Sequence, residues 1–308
     1  MRTLYAFSLM LVFFALSGHV GQSYSAEPAV IPDQNKMVFS TPEEMRAFFT
    51  LDPSKKQSER PRLVSAHRGG LRKGCPENCI HTFEQTLLQM PAMFEIDPRV
   101  TKDGVIVLMH DETINRTTNG TGRVKDYTYE ELKQFRLKDS EGNVTDLSIP
   151  TLKEAIEWAK GKTVLVLDKK DVPLEMIQKM IRDCEAEICC MVIVYNFNEA
   201  KNYYAANKNI MMEAFVTKIE DVERFEKTGV PWENVIPFVG VVEPARELYE
   251  QLEQKGRLCM LGCTRSIDQK VRETGDAEIY EKLFLNGASI LETDLPMIAK
   301  EALRLQKK

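Results

Sequence analysis

From Leu63 onward one pattern recurs along the chain: a short apolar or β-branched run, then a stretch with helical spacing. The strand-like runs are 63–67, 92–97, 163–168, 190–195, 210–216, 235–239, 257–262 and 288–293. Apolar residues three and four apart predict helices over 79–90, 151–160, 173–186, 198–207, 218–228, 244–255, 276–286 and 296–306. Strands separated by amphipathic helices pair in parallel, and eight such units close into an α/β fold, the (β/α)8 or TIM barrel. An open doubly wound sheet is the alternative. No glycine-rich dinucleotide fingerprint supports it.

One stretch breaks the alternation. Glu95-Ile96-Asp97 is followed by Pro98-Arg99-Val100-Thr101, by Lys102-Asp103-Gly104, and by a second strand-like run over 105–110. Asp-Gly between two β runs signals a hairpin, and folding about it places Asp97 roughly opposite His110. Residues 99–149 then form a small insertion between the second strand and its helix. Excursions of this length in compact folds are usually functional. Ahead of the barrel, residues 26–60 form a polar lead-in with one helix. Thr41 is its N-cap, Pro42 its first-turn proline and Glu44 the glutamate three positions on. Met45, Phe48 and Phe49 give it a face to pack against the barrel, which spans 61–308.

Arg2 precedes an uncharged run from Thr3 to Ser17, and small residues at Ser23 and Ser25 precede Ala26. These are the parts of a secretory signal over 1–25, with an apolar run short for a bilayer. The expectation is an exported protein, periplasmic or secreted, with no stable membrane span after cleavage; an uncleaved anchor is the other reading. All seven cysteines lie beyond this segment, with no histidine near them in zinc-site spacing. Several sit in apolar runs, where free cysteine acts as a small core residue. A net charge of −5 offers no basic stripe to neutralise phosphates, which argues against a general nucleic-acid partner. Oligomeric state is left open.

Two of the four histidines end strand-like runs. His67 stands in Ala66-His67-Arg68-Gly69-Gly70, and His110 closes the run from Val105. Between them, Glu95 and Asp97 are spaced by two and point to one face of a strand. In a β/α barrel the chemistry lies at strand C-termini. His67 and Arg68 end the first run, Glu95 and Asp97 lie towards the end of the second, and Asp168 and Lys170 end the third. Adjacent strands are about 4.8 Å apart, so these groups share one rim. Three carboxylates there repel one another and are costly to bury unpaired. One divalent cation resolves the conflict, and all-oxygen ligands point to Mg2+ or Ca2+ rather than zinc. Imidazoles beside it suit metal-assisted acid–base chemistry. The blander readings are a solvated edge strand for Glu95 and Asp97, and an ordinary turn for Asp168-Lys169-Lys170. His81 sits in a helical pattern beside Phe83 and Leu87 and reads as structural.

The order of these motifs carries a resemblance. Ala66-His67-Arg68-Gly69, Pro76-Glu77-Asn78, Glu95-Ile96-Asp97, Thr101-Lys102-Asp103-Gly104, His110-Asp111 and Arg116-Thr117-Thr118 together resemble the glycerophosphodiester phosphodiesterase family. The C-terminal Gly287-Ala288-Ser289-Ile290-Leu291-Glu292-Thr293-Asp294-Leu295-Pro296 resembles the family's closing strand. The resemblance implies a (β/α)8 barrel with one divalent cation held by Glu95, Asp97 and Asp168. It implies His67 and His110 as general acid and base, Arg68 and Lys170 on the phosphate, and Glu77 and Asn78 supporting the pocket. Three positions depart from the family pattern. Asp168 stands where the family usually has glutamate, so the ion shifts towards that strand, binds through water, or differs in identity. Leu261-Gly262-Cys263-Thr264-Arg265 replaces a stretch that often carries a tryptophan beside the substrate, so the pocket wall changes. Cys79 replaces a threonine with little chemical consequence.

The function implied is metal-dependent hydrolysis of a small-molecule phosphodiester, releasing glycerol phosphate and an alcohol. Cleavage of a phosphoinositol or sphingolipid on a similar barrel is one alternative. A binding homologue without catalysis is another.

Overall fold

Eight parallel strands close into a barrel in the computed structural model, which describes residues 30–305. In chain order the strands are β1 (Leu63–His67), β2 (Met93–Ile96), β3 (Pro98–Val100), β4 (Ile106–Leu108) and β5 (Leu165–Leu167). There follow β6 (Cys190–Val194), β7 (Met211–Phe215), β8 (Val235–Phe238), β9 (Met260–Gly262) and β10 (Ile290–Thr293). The barrel runs β1-β2-β5-β6-β7-β8-β9-β10 and back to β1, while β3 and β4 form a separate antiparallel pair. This is the (β/α)8 barrel, and its small insertion leaves after the second barrel strand. The signal expected over 1–25 lies outside the described residues. Among the described residues no helix is long and apolar enough to cross a membrane, and all seven cysteines are free and buried.

Strand alternation sends every second side chain into the barrel, and the inward residues change character along its axis. At the N-terminal ends of the strands, Met93, Met191, Met211, Met260 and Ile290 share one apolar cluster with the lead-in. The lead-in contributes Met37, Phe39, Met45, Phe49 and Leu51 to that cluster. Its backbone is tied to the same end, with Met37 N–H donating to Lys162 O at 2.9 Å and Leu51 N–H to Gly256 O at 2.8 Å. Thr41 caps the helix Pro42–Phe48 by accepting from Glu44 N–H at 3.1 Å, and Glu44 accepts from Ser40 N–H at 2.7 Å. This plug closes the barrel floor. Burying Met45 and Phe49 completely is worth about 1.5–3 kcal/mol for each side chain. The cavity with polar lining lies at the other end.

Two expectations need correction. The hairpin pairs Pro98 with Leu108 and Val100 with Ile106, and Met109 N–H donates to Asp97 O at 2.8 Å. Asp97 therefore lies opposite Met109, one residue short of His110. The cause is the turn. Thr101 N–H donates to Val105 O at 2.9 Å, so the loop has the three residues Lys102-Asp103-Gly104 with Gly104 at φ +82°. An Asp-Gly pair alone would have made a two-residue loop; the extra residue is the left-handed bulge of the next common hairpin type. The second correction is a helix at Ser266–Thr274, ahead of the expected one observed as Glu278–Asn286. Ile267 and Val271 are its only aliphatic residues. It is anchored through buried Asp268, which accepts from Tyr280 Oη at 2.7 Å and from Asp294 N–H at 2.7 Å. A helix held by a buried carboxylate leaves no hydrophobic periodicity to read.

Candidate active site

The C-terminal ends of the strands enclose a cavity of about 570 Å³. His67, Arg68, Glu77, Glu95, His110, Asp168 and Lys170 all line it. Asn78 and Asp97 are buried and do not reach its surface. His81 is part-buried at the start of the helix Ile80–Leu87, away from this cavity.

After β1 the backbone takes three consecutive positive φ values, 54° at Arg68, 97° at Gly69 and 92° at Gly70. Glycine tolerates that region and arginine does not, so Arg68 holds strain of order 1–3 kcal/mol, and such strain clusters at functional sites. Gly69 has a second constraint, since a Cβ there would lie 2.8 Å from both Phe83 and Thr82. The turn sends the Arg68 guanidinium back over the acids, with Nη1 3.3 Å from Glu77 Oε1 and Nε 3.5 Å from Asp97 Oδ2. Asn78 is also left-handed, at φ 54°, a conformation asparagine adopts readily. Its amide clamps Asp97 from both sides. Nδ2 donates to Asp97 Oδ2 at 2.6 Å and Oδ1 accepts from Asp97 N–H at 2.9 Å.

Glu95, Asp97 and Asp168 each bring a carboxylate oxygen within 4.8 Å of the others. Two oxygens bound to one hard cation at about 2.0–2.6 Å are at most about 5 Å apart. Burial is nearly complete for all three, and their charges collide. Desolvation, then the charges of Asp97, Glu292 and Asp168, push the Glu95 pKa well up. Burial works the same way on Asp97, but Lys170 and Arg68 outweigh it and hold its pKa down. Asp97 Oδ1 lies 3.0 Å from Lys170 Nζ without hydrogen-bond geometry, and has no hydrogen-bond partner. Lys170 also pairs with Asp168. A buried oxygen that accepts no hydrogen bond and an all-oxygen donor set fit a divalent cation. The shorter side chain of Asp168 does not take it out of the cluster. Lys169 N–H holds its Oδ1 at 2.6 Å, and the Tyr195 hydroxyl donates to the same oxygen.

Each cavity histidine is held through Nδ1. His67 Nδ1 lies 2.7 Å from Asp294 Oδ1, and His110 Nδ1 lies 2.8 Å from Asp111 Oδ1. With Nδ1–H donated to a carboxylate, Nε2 is the acceptor in the neutral ring. Both carboxylates are themselves braced. Arg272 Nη2 donates to Asp294 Oδ2 at 3.0 Å. Arg116 Nε donates to Asp111 Oδ2 at 2.8 Å, while its Nη1 and Nη2 reach Glu77 at 2.7 and 2.8 Å. Burial opposes charging of His67. The Asp294 hydrogen bond and the charges of Glu292 and Asp294 outweigh it, and its pKa is raised.

Asp294, Tyr195, Glu213 and Glu292 line the cavity but were not singled out as site residues from sequence. A signal existed for three of them. Glu292 and Asp294 repeat the two-residue spacing of Glu95 and Asp97 on another barrel strand, and Glu213 is the lone acid in the apolar run 210–216. The altered wall is aromatic after all. Tyr195, Phe215 and Phe238 form a row with ring centroids 4.8 and 4.6 Å apart. Phe238 leans over Gly262, where a Cβ would stand 2.8 Å from its ring. The smallest residue on β9 makes room for a ring from β8.

The family model described as the glycerophosphoryl diester phosphodiesterase family matches residues 67–257. A crystal structure of a glycerophosphoryl diester phosphodiesterase from Parabacteroides distasonis superimposes with a TM-score of 0.82 at 44% identity. That match covers 88% of this chain and 94% of the other. A glycerophosphodiester phosphodiesterase of Caldanaerobacter subterraneus subsp. tengcongensis is 37% identical over 138 residues, 44% of this chain and 55% of that protein. One from Bacillus altitudinis is 44% identical over 106 residues, 34% of this chain and 43% of its own length. The chain thus spans about half the length of the curated relatives it matches. With the family model covering most of the barrel and a solved relative matched almost end to end, the chain belongs to the glycerophosphoryl diester phosphodiesterase family.

Proposed function

We propose that this protein hydrolyses glycerophosphodiesters to glycerol phosphate and an alcohol, using His67 and His110 as the general acid and base. The observation that carries the reading is one cavity lined by two carboxylate-held imidazoles and by Glu95 and Asp168, whose carboxylates cluster with that of buried Asp97. Glu95, Asp97 and Asp168 would hold one divalent cation, Mg2+ or Ca2+. When bound, it supplies positive charge and Lewis acidity to the phosphoryl oxygens. Arg68 and Lys170 add their charges on the same side, and Glu77 and Asn78 keep Arg68 and Asp97 in place.

The bond changes follow from two histidines held through Nδ1, whose Nε2 atoms make no hydrogen bond among the described residues, that of His67 lying 3.7 Å from Glu95 Oε2. An oxygen nucleophile, water or a hydroxyl of the substrate, forms a new bond to phosphorus and passes its proton to Nε2 of one imidazole. The bond from phosphorus to the alcohol oxygen breaks, and that oxygen takes the proton from Nε2 of the other imidazole. A cyclic phosphate formed by a substrate hydroxyl would be opened by water with the roles reversed. Residues 1–25 are proposed to be a signal that exports the protein to the periplasm or beyond. The proposed mature chain has the lead-in over 26–60 and the barrel over 61–308, with the insertion at 99–149.

The test is hydrolysis of glycerophosphocholine with divalent cation supplied. His67→Ala and His110→Ala should each lower kcat by about 10²–10⁴, the usual contribution of a positioned acid or base. Activity unchanged in either variant would remove that histidine from the mechanism. A wild-type protein that binds metal yet cleaves no phosphodiester would end the enzyme reading.

A further inference from the structure

We propose that Tyr195, Phe215 and Phe238, together with Glu213 and Glu292, form the subsite for the departing alcohol and select one that carries a positive charge. This rests on the phosphodiesterase reading and specifies the chemical class of its substrate, the diester of a small amino alcohol.

The cavity is divided by charge. Its basic side chains Arg68, Arg116 and Lys170 lie on the β1, insertion and β5 side, where each is ion-paired with an acid. The facing wall comes from β6, β7 and β8. Its lining residues are Ile193, Tyr195, Glu213, Phe215 and Phe238, and none is basic. A fourth basic residue of the lining, Arg265, follows β9 and is exposed. The wall therefore offers three aromatic rings and a carboxyl group, with a second carboxyl from Glu292 on β10.

Glu213 is the decisive residue. It is 1% exposed, its Oε2 has no hydrogen-bond partner, and its neighbours in strand register are Ile193 and Ile236. A buried carboxyl without a donor is costly unless something positive reaches it. Burial, then the charges of Glu292 and Asp168, raises its pKa. A neutral polyol could donate one hydrogen bond to Glu213, but it brings no charge for the carboxyl pair and leaves its other hydroxyls against aromatic carbon. The Tyr195 hydroxyl, the wall's only polar group besides the carboxyls, is committed to Asp168. An anionic alcohol would be repelled. An ammonium group gains from both features, since aromatic faces attract cations and carboxylates pair with them.

The full-length protein, saturated with Mg2+ or Ca2+, would be assayed on glycerophosphocholine, glycerophosphoethanolamine, glycerophosphoglycerol and glycerophosphoinositol. The cationic pair should show kcat/KM at least about tenfold above the neutral pair, as one desolvated cation–π and carboxylate contact implies. Glu213→Gln and Phe238→Leu should each bring that ratio towards one. A ratio near one in the wild type overturns the subsite, as does a ratio unmoved in both variants. Calorimetry with choline chloride against glycerol reads the subsite without turnover. Choline binding with no diester cleaved would leave the subsite standing and end the phosphodiesterase reading. Hydrolysis indifferent to charge, with no choline binding, would do the reverse.

Discussion

Replacing Asp294 by asparagine isolates what holds the first-strand histidine. Asp294 now accepts two hydrogen bonds, from His67 Nδ1–H at 2.7 Å and from Arg272 Nη2 at 3.0 Å. Asparagine has a single acceptor for those two donors, so one bond is lost whichever way the amide turns. If the amide oxygen faces His67, a charge-assisted bond of about 1.5–3 kcal/mol becomes a neutral one of about 0.5–1.5 kcal/mol. The difference of about 1–1.5 kcal/mol is about tenfold in rate if it is expressed in the transition state. If the amide nitrogen faces His67, the ring must take the other tautomer and present a protonated Nε2. The template for that error is the serine-protease aspartate, where the same substitution costs about 10⁴ in kcat. The expected fall in kcat/KM is therefore at least about tenfold and at most about 10⁴. Steady-state kinetics measure it, and nitrogen chemical shifts of His67 report the tautomer, which a merely structural role would not move. A folded variant with kcat/KM within about twofold of wild type and an unchanged His67 spectrum would mean that Asp294 does not set the His67 tautomer.

Three further outcomes follow from other parts of the molecule. Asp97→Asn should weaken divalent-cation affinity by more than about tenfold in calorimetry, because it removes a charged ligand from a three-carboxylate set. Unaltered affinity would count against the site. Phe49→Ala opens the floor plug at a fully buried ring and should cost about 3–5 kcal/mol in urea unfolding. A loss below about 1 kcal/mol would mean the lead-in does not support the barrel. Asp139 accepts from Gly74 N–H at 2.9 Å and from Asn143 N–H at 2.9 Å. The Gly74 bond leads in lowering its pKa from 3.8 to about 2. A depressed carboxylate stabilises the fold above its unfolded pKa and loses that contribution as pH falls through the folded one. The gap in Tm between wild type and Asp139→Asn should therefore be constant above about pH 5 and narrow as pH falls through 3.8 towards about 2. A gap independent of pH would contradict this.

Much of the architecture was legible because burial repeats. All eight barrel strands fall within the runs read from hydrophobic pattern, with ends trimmed by up to three residues. What escaped was held by polar groups or by single-residue geometry. The helix Ser266–Thr274 depends on buried Asp268, which no periodicity announces. The hairpin register turned on whether Gly104 closed a two- or a three-residue loop, and that one residue moved Asp97 from His110 to Met109. In the cavity, His67, Glu95, His110 and Asp168 were found because they sit in short motifs at strand ends. Asp294 was not, because its partner His67 is 227 residues away and only barrel closure brings β10 beside β1. Glu213 and Tyr195 were read as parts of an apolar strand and its end. The inward alternation that exposes them to the cavity becomes specific only once the register of β6 and β7 is known.

The claim on which the rest depends is that the acidic cluster and the two imidazoles act together on a phosphodiester. Phosphorus NMR of glycerophosphocholine incubated with the full-length protein tests it directly, in chelator and after Mg2+ or Ca2+ is restored. A stable diester signal is expected in chelator, with its replacement by a phosphomonoester signal once the cation is returned. Monoester formation undiminished by the chelator, or absent with either cation present, would contradict it.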